Sequence, residues 1–334
     1  MAARKTPNKQ PQRASKPPEK PITKRRRIIS GPIWVLLIII ITGCVYAGFL
    51  EKISNENTDN TPVSAETPPP VSKNDGEIDD TYAKVHFINV GQGDSELIIN
   101  GTDAVLIDAG ESDYGQTVTD YIKALGITEL KYIVATHPHS DHVGGLPVVI
   151  ENFTVGEIFY PVLPESMVPT TKTWENVLTA AETADVPMNE VSAGFTFSVG
   201  KAEFTVVSPQ KDSQFSDLND YSVVLKMDFG KTNWLFTGDA EAPAEKSMLA
   251  SGLDISAEVL KIGHHGSANS STAEFLEAVK PQVCVIEVGA GNSYGHPTDS
   301  ALRRLSEVTG KIFRTDISGD IVLNSDGEKI YLPT

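Results

Sequence analysis

Short apolar runs alternate with amphipathic stretches from residue 81 to the end of the chain. Runs of this length that are rich in Val and Ile are typical of buried strands, and the longer stretches between them are helix-like. The clearest strand-like runs are KVHFINV, AVLID, KYIVAT, WLFTGD, EVLKIG and QVCVIEVG. The helix-like stretches cover residues 114–125, 141–152, 171–184, 242–250, 272–279 and 298–308. This alternation predicts an α/β domain built from layers of strands and helices.

The first eighty residues have a different pattern. Residues 1–29 are rich in Pro, Lys, Gln and Arg and are predicted to form a disordered basic arm, whereas residues 51–80 are predicted to form an acidic, Pro-rich linker. Between them, residues 32–50 carry no charge. A helix of that length spans about 28 Å, close to the thickness of the bilayer core. We therefore predict a transmembrane anchor over residues 30–50 and one globular domain over residues 81–334.

Three arginines stand just before the apolar run, at positions 25–27. By the positive-inside rule they keep the arm in the cytoplasm and place the domain outside. Two alternatives stay open, a cleaved signal peptide and a lipoprotein in which Cys44 of the tetrapeptide ITGC is lipidated. All three place the domain beyond the cytoplasmic membrane, and we favour the uncleaved single-pass anchor.

The charge of the chain is distributed unevenly. The first thirty residues hold ten of the 28 Lys and Arg residues but one of the 44 Asp and Glu residues, so the rest of the chain has a net charge of −25. Diffuse attraction to nucleic acid is not expected of such an acidic body. The two cysteines, Cys44 and Cys284, lie in unrelated contexts, so we predict neither a disulfide nor a thiolate metal site.

His and Asp residues gather where the predicted strands end. The stretch THPHSDHVGG, residues 136–145, contributes His137, His139, Asp141 and His142. Asp239 ends WLFTGD, and His264 and His265 follow EVLKIG. Because ligands collect at the carboxyl ends of the strands in α/β sheets, we expect these side chains to meet. Imidazole and carboxylate groups are ligands that suit Zn²⁺, Mn²⁺ or Fe²⁺.

The spacing of these residues predicts two neighbouring metal ions. His137 and His139 are two positions apart in an extended turn, where their side chains point the same way and can share one ion. Asp141 and His142 begin a helix-like stretch and can bind a second ion beside the first. Asp239 is the candidate for a carboxylate that bridges the two.

Other residues near these ligands have supporting roles. Either His264 or His265 can complete the second site. Asp108, which ends AVLID, can orient a ligand histidine by a hydrogen bond, although a turn-forming role is the alternative. Gly144 and Gly145 allow the backbone to pack closely behind the ligands. His86 is predicted to be a strand residue with no catalytic role.

The H-x-H-x-D-H element resembles the signature of the metallo-β-lactamase superfamily. Between residues 84 and 320 the order of motifs resembles, more narrowly, the extracellular hydrolase domain of ComEC-type DNA-uptake proteins. The motifs that carry this resemblance are FINVGQGDSELI, VLIDAG, THPHSDHVGG, LFTGDA, LKIGHHGSANSS and GNSYGHP. The resemblance implies an αββα sandwich with a pair of divalent metals, Zn²⁺ or Mn²⁺. It also implies cleavage of phosphodiesters, with DNA as one candidate substrate.

The family pattern assigns the same metal ligands, with His264 completing the second site and His265 as the fallback. A two-metal mechanism gives catalytic roles to Asp141, Asp239 and His296, and His296 could either hydrogen-bond the phosphoryl group or protonate the leaving oxygen. The residues expected to contact the phosphoryl group are Ser267, Asn269 and Ser270. These three residues could instead shape the start of the next helix.

The chain departs from the family pattern in two respects. A histidine that the superfamily often has between the first motif and the bridging Asp is absent, and Asp217, Asn219 or Asp220 is expected to replace it. ComEC-type proteins also have a many-helix channel, whereas this chain has one candidate span. A separate DNA-uptake channel is therefore an expected partner.

The sequence favours a membrane-anchored, extracytoplasmic, metal-dependent phosphodiesterase or DNase that uses a metal-bridging hydroxide. One alternative is hydrolysis of another surface phosphoester, of the nucleotide or phosphocholine type. The other is a DNA-binding module without catalysis. A few basic residues are expected to line a groove for DNA, and they are Lys211, Lys261, Arg303, Arg304 and Arg314.

Overall fold

The structure of the protein is a computed structural model that describes residues 80–333. The predicted arm, the predicted anchor at 30–50 and all but the last residue of the predicted linker lie outside these residues. Within residues 80–333, no helix combines the length and the apolar character needed to cross a bilayer.

Fifteen strands and eight α-helices make up the described part of the chain. The strands are β1 (Ala83–Phe87), β2 (Glu96–Asn100), β3 (Asp103–Ile107), β4 (Glu129–Val134), β5 (Thr154–Pro161), β6 (Met188–Val191), β7 (Thr196–Val199), β8 (Ala202–Ser208), β9 (Val224–Phe229), β10 (Thr232–Phe236), β11 (Val259–Lys261), β12 (Val283–Ile286), β13 (Ile312–Arg314), β14 (Ile321–Ser325) and β15 (Ile330–Tyr331). The helices are α1 (Gly115–Ala124), α2 (Ser140–Val143), α3 (Leu146–Asn152), α4 (Lys172–Thr183), α5 (Ala242–Ser251), α6 (Ala273–Val279), α7 (Asp299–Val308) and α8 (Thr315–Ser318).

The strands form two sheets. The first has the order β15-β14-β1-β2-β3-β4-β5-β6, and the second has the order β13-β12-β11-β10-β9-β8-β7. In each sheet one half is parallel, from β3 to β6 in the first and from β10 to β13 in the second. The other pairings are antiparallel, as in a mixed sheet.

The two sheets pack face to face, and helices cover both outer faces. The core between the sheets includes Val85 and Phe87 of β1 and Trp234 of β10. The outer face of the first sheet packs against α1, α3 and α4, and that of the second against α5, α6 and α7. Successive residues of one strand serve different layers, as Trp234 and Leu235 do, because side chains alternate across a strand. The result is the four-layer αββα sandwich that the family resemblance implied.

The helices lie close to the predicted stretches, with one difference. Thr171, Thr272 and Thr298 cap α4, α6 and α7, and each side chain accepts a hydrogen bond from a backbone N–H in the first turn. The stretch predicted as one helix over 141–152 is instead α2 and α3, divided at Gly144 and Gly145. A Cβ atom on Gly145 would lie 2.2 Å from the carbonyl oxygen of Ala109, so the chain passes where only glycine fits.

His86 supplies a testable prediction about acid stability. Burial, and then the charge of Lys84, lowers the pKa of His86 to about 4, and its Nδ1 lies 2.9 Å from the hydroxyl of Tyr121. In the unfolded chain this pKa is near 6.5, so the unfolded state binds more protons and the fold loses stability as the pH falls from 6.5 to 4. As the pH falls, we expect the free energy of unfolding to decrease by about 2 kcal/mol less in His86→Asn than in the wild type.

The measurement is urea unfolding of the chelator-treated protein at pH 7.5 and 4.5, with the stability difference between variant and wild type taken at each pH. Tyr121→Phe is the control, because it removes the hydrogen bond and keeps the imidazole. The same pH dependence in His86→Asn and wild type would contradict the assignment.

Candidate metal centre

The site lies where the parallel strands of both sheets end, and Asp108 organises one side of it. Asp108 follows β3 and is fully buried, with a left-handed backbone at φ 53°. Its carboxylate accepts hydrogen bonds from the N–H and the hydroxyl of Thr136 and from Nδ1 of His142, at 2.9, 2.5 and 2.8 Å. With Nδ1 donating, Nε2 of His142 presents its lone pair to the centre of the site.

A tight turn after β11 aims two consecutive histidines at the same carboxylate. His264 and His265 both have left-handed backbones, at φ 47° and 53°, and Gly266 continues the turn at φ 81°. Left-handed backbone is strained for residues other than glycine, and such strain is concentrated at functional sites. The hydroxyl of Ser270 closes the turn by donating to the carbonyl of Gly263 at 2.6 Å.

Four donors from three separate loops converge at the centre. Asp141, His142, Asp239 and His265 each offer one ligand atom, and these atoms all lie within 4.8 Å of one another. Nε2 of His265 is 3.4 Å from Asp141 Oδ2 and 3.7 Å from Asp239 Oδ1. Nε2 of His142 is 3.3 Å from Asp239 Oδ2. Ligand atoms with bonds of 2.0–2.1 Å in a tetrahedral site lie about 3.3 Å apart, so this spacing suits a divalent ion.

The hydrogen bonding of these atoms also fits a metal. Nε2 of His142, Nε2 of His265 and Oδ1 of Asp239 are all buried and have no hydrogen-bond partner. Burying polar atoms without partners is costly, and native structures seldom do so without a bound ion or water. Three unpartnered atoms that face one another are therefore the donor set of a cation site.

The other oxygen of Asp239 faces a second group of nitrogens. Its Oδ2 lies 3.9 Å from Nε2 of His137 and 3.7 Å from Nε2 of His264. His139 stands beside His137, with 3.0 Å between their nitrogens. Nδ1 of His264 is 2.7 Å from the carboxylate of Glu241, which leaves Nε2 of His264 directed at Asp239.

Burial and neighbouring charges shift the pKa values in opposite directions across the site. Burial, reinforced by His142, lowers the pKa of His137 well below its ordinary value. Burial also opposes the charged form of His265, but the carboxylates of Asp239 and Asp94 outweigh it and raise this pKa to about 10. Burial likewise disfavours the charged form of Asp239, yet His142 and His265 hold its pKa well below the usual range. The carboxylate is thus ionised and able to bind a cation.

A layer of buried charge supports the site from beneath. Lys261 is fully buried and forms an ion pair with Asp94, and its Nζ also donates to the carbonyl of Gly238 at 3.0 Å. Asp94 Oδ1 lies 3.3 Å from Nδ1 of His265. Glu287 is buried beside Asp94, and its carbonyl oxygen lies 2.9 Å from the same Nδ1. These contacts fix the ring of His265.

The pocket brings together six of the predicted residues, which are His139, Asp141, Asp239, His264, His265 and His296. Gln92, Ser140, Asn219 and Tyr294 also line it. Asn219, one of the suggested replacements for the missing histidine, has its amide nitrogen 3.3 Å from Nδ1 of His264. Asp220 is instead directed away, because its carboxylate accepts the N–H groups of Glu241 and Ala244 at the start of α5.

The three predicted substrate contacts lie outside the pocket lining. The hydroxyl of Ser270 is buried in the turn, and that of Ser267 donates to Glu241 at 3.1 Å. Asn269 is exposed, and its carbonyl accepts the N–H of Ala242. These contacts fit the alternative in which the segment shapes the loop before α6.

Three of the five basic residues expected to form a groove have other contacts. Lys261 is in the interior, so it offers no surface charge. Arg304 donates to the carbonyls of Ala268, Ser270 and Ser271, and Arg314 pairs with Asp316 at 2.6 Å. Lys211 and Arg303 are exposed, as expected.

Sequence reasoning missed the layer formed by Asp94, Glu96 and Glu287. No role was predicted for Asp94, which ends GQGD, and Lys261 was predicted to lie at the surface in a groove for DNA. A signal was available for Glu287, because a carboxylate inside the apolar run QVCVIEVG requires a buried partner.

The fold and the histidine-aspartate centre together define the metallo-β-lactamase class of proteins. The sequence profile of the metallo-beta-lactamase superfamily matches residues 88–286, which is more than half of the chain. The chain belongs to this superfamily.

The curated relatives confirm the narrower resemblance to ComEC-type proteins. ComE operon protein 3 of Bacillus subtilis (strain 168) is 31% identical over 270 residues, which are 75% of this chain and 33% of that protein. Recombination protein 2 of Haemophilus influenzae is 30% identical, over 72% of this chain and 29% of that protein. The chain thus spans about a third of the length of these relatives.

A solved structure supports the fold alone. CmlA, a diiron β-hydroxylase from Streptomyces venezuelae, superposes with a TM-score of 0.50. The match covers 73% of this chain and 54% of that one at 15% sequence identity.

The buried ion pair generates a prediction about stability. Lys261→Met leaves Asp94 charged in the interior without its lysine partner, and we expect it to lower the free energy of unfolding by about 3–5 kcal/mol. Lys246→Met, on an exposed position of α5, is the matched control and should stay within about 0.5 kcal/mol. Urea unfolding in the presence of a chelator measures both.

Adding Asp94→Asn to Lys261→Met should recover part of the loss, because it removes the unpaired charge. A loss in Lys261→Met no larger than that in Lys246→Met would show that the pair does not support the site.

Proposed function

We propose that the protein is a metal-dependent phosphodiesterase whose substrate is DNA and whose catalytic domain is anchored outside the cytoplasmic membrane. The observation that carries the proposal is the group of unpartnered, buried donor atoms around both oxygens of Asp239. Superfamily membership supports a metal-dependent hydrolase. The name of one relative, recombination protein 2, favours DNA.

The proposed second metal is held by Asp141, His142, Asp239 and His265. The fallback histidine is preferred here because His265, and not His264, shares the cluster with Asp141. The turn at His264 and His265 supports this choice, since its left-handed backbone directs the two rings to different oxygens of Asp239.

The proposed first metal is held by His137, His139 and Asp239, with His264 in place of the missing histidine. Nε2 of His264 lies on the same side of Asp239 as His137 does, and Glu241 fixes the tautomer that this role requires. Asn219, beside His264, completes this side of the pocket. The donor set fits Zn²⁺ or Mn²⁺, and its carboxylates favour Mn²⁺ more than an all-nitrogen set would.

The metal pair, when bound, would polarise the phosphoryl group and supply a hydroxide nucleophile at neutral pH. Asp141 and Asp239 would act as metal ligands that position the phosphoryl group and the nucleophile relative to each other. We assign His296 to a hydrogen bond with the phosphoryl group or to protonation of the leaving oxygen, because its ring lies 5.4 Å from that of His264 and its Nδ1 has no hydrogen-bond partner. Burial, and then the neighbouring His264, lowers the pKa of His296, which favours the neutral ring and therefore the hydrogen-bonding role.

One observation favours a second candidate function. The body carries a net charge of −25, and phosphate contacts to DNA usually require Lys and Arg. A smaller surface phosphoester, such as a nucleotide or a phosphocholine ester, avoids this repulsion. A binding module without turnover is the third possibility that experiment must separate.

The anchor and the partner are further parts of the proposal. The apolar run at 30–50 supports a single span with the domain outside. We also propose a DNA-uptake channel as a partner, and the similarity to ComEC-type proteins supports this.

Removal of the shared carboxylate tests the metal centre. Asp239→Asn should lose at least one of two bound metals and lower turnover by roughly two orders of magnitude or more, since metal catalysis contributes several kcal/mol. The fold should be retained, because the side chain lies outside the apolar core. Metal content by mass spectrometry, circular dichroism and turnover are the measurements.

Asp113→Asn is the matched control, because Asp113 is exposed and away from the pocket. Full metal content in Asp239→Asn would remove Asp239 from the site.

The choice of substrate requires a separate assay. The protein, stripped and reloaded with Mn²⁺ or Zn²⁺, is tested against DNA, nucleotides, phosphocholine esters and a generic phosphodiester. We expect DNA cleavage that is faster with Mn²⁺ and has a shallow salt dependence, since few phosphates are contacted. Turnover of a small phosphoester without DNA cleavage would refute the nuclease, and no turnover at all would favour the binding module.

A further inference from the structure

We propose that Tyr294, backed by His296, is a stacking platform for an unpaired nucleobase of single-stranded DNA. The inference rests on the proposed function, because it places the base beside a phosphodiester held at Asp239. It adds a substrate subsite that neither the motif pattern nor the metal ligands specify.

Tyr294 is an exposed aromatic residue at the mouth of the pocket. Its side chain is 68% exposed, and it lines the same pocket as Asp239 and the ligand histidines. The other exposed large apolar residues among residues 80–333, such as Phe195 and Ile317, lie outside this lining. Isolated apolar residues on a surface are ordinary, but an exposed ring at the entrance to a metal centre is placed to contact substrate.

The loop that carries Tyr294 is held in place. The side chain of Asn292 donates to the carbonyls of Gly289 and His296, at 2.9 and 2.6 Å, and accepts the N–H groups of Tyr294 and His296, both at 3.1 Å. The N–H of Gly289 in turn donates to Gln92 at 3.2 Å. The loop that carries the ring is therefore preorganised, so ligand binding costs little loop entropy.

A series of rings connects Tyr294 to the metal centre. The rings of Tyr294 and His296 are stacked, with centroids 5.9 Å apart and planes at 27°. The ring of His296 lies 5.4 Å from that of His264, whose Nε2 faces Asp239 at 3.7 Å. A nucleotide whose phosphate lies at Asp239 thus has its own base, or the next one, at Tyr294.

The charge of the domain favours stacking as the source of affinity. Stacking of a base on an aromatic ring needs no positive charge and is tolerant of sequence. The acidic body offers few phosphate contacts, and Lys261, Arg304 and Arg314 are occupied elsewhere. A base inside a duplex is covered by its neighbours, so the platform selects unpaired strands.

A choline headgroup fits the platform less well. Recognition of quaternary ammonium groups uses several rings arranged as a cage. Within residues 80–333, Tyr294 is the only Phe, Tyr or Trp side chain in the pocket lining, and it offers one open face. That geometry suits a flat ring.

The test compares Tyr294→Ala, Tyr294→Phe and wild type, each as the full chain, on a labelled single-stranded oligothymidylate. A second set of oligonucleotides replaces one thymine at a time by an abasic residue. We expect Tyr294→Ala to lower kcat/KM on the intact strand roughly 5- to 100-fold, the range that one stacked base supplies. Tyr294→Phe should retain activity, and an abasic residue next to the cleaved phosphate should remove the difference between wild type and Tyr294→Ala.

Ile317→Ala is the control, since Ile317 is 72% exposed but outside the pocket, and it should behave as wild type. An equal loss in Tyr294→Ala on intact and abasic strands, or no loss, would overturn the platform.

Binding without catalysis separates this proposal from the nuclease itself. Fluorescence anisotropy in a chelator measures the affinity of the metal-free protein for the intact and abasic strands. If no DNA is cleaved but binding depends on both the base and Tyr294, the nuclease fails and the platform stands. Binding that is indifferent to the base overturns the platform. Displacement of the strand by phosphocholine from wild type and Tyr294→Phe, but not from Tyr294→Ala, would also overturn it in favour of a headgroup site.

Discussion

The burial of carboxylates at the junction of the two sheets is the constraint on which this structure depends. Asp94, Asp108 and Asp239 are each at most 2% exposed, and an ionised carboxylate in the interior is tolerated only when it is paired. Lys261 neutralises Asp94, and Thr136 and His142 satisfy Asp108. Asp239 has histidines on both sides and one oxygen without a hydrogen bond. Asp94 and Asp108 thus have cationic or hydrogen-bonding protein partners, whereas Asp239 faces the ligand histidines of the proposed cation site.

This arrangement explains the irregular backbone around the site. Several residues of the site lie where the chain turns sharply after a strand, and left-handed backbone makes such turns possible. Asp108, His264 and His265 all adopt it without being glycine. Residues held this way cost of order 1–3 kcal/mol each, so the four-layer core must supply the stability that the site consumes. The strained backbone of the site thus lowers the stability of the fold, and the packing of the sandwich compensates for this loss.

The sequence predicted the parts of this structure that depend on local spacing. The helices were found because their amphipathic period is local, and THPHSDHVGG was found because its ligands lie within six positions of one another. The sequence could not show which oxygen of Asp239 each of His264 and His265 faces. The two adjacent side chains are directed to different oxygens only because the backbone between them is left-handed. Asp94 and Lys261 were missed for a different reason. They are 167 positions apart, and a buried pair cannot be recognised until the two sheets are stacked.

The same constraint bears on substrate choice. Within residues 80–333 the pocket lining contains no Lys or Arg, so the pocket itself offers little positive charge to a polyanion. For the phosphodiester substrate that we propose, affinity would then come from the proposed cations at Asp239 and from uncharged contacts at the pocket rim. Contacts between the cations and the phosphate do not distinguish one phosphoester from another. Discrimination therefore falls to the groups that touch the rest of the substrate, and the exposed ring of Tyr294 is the one that stands at the entrance.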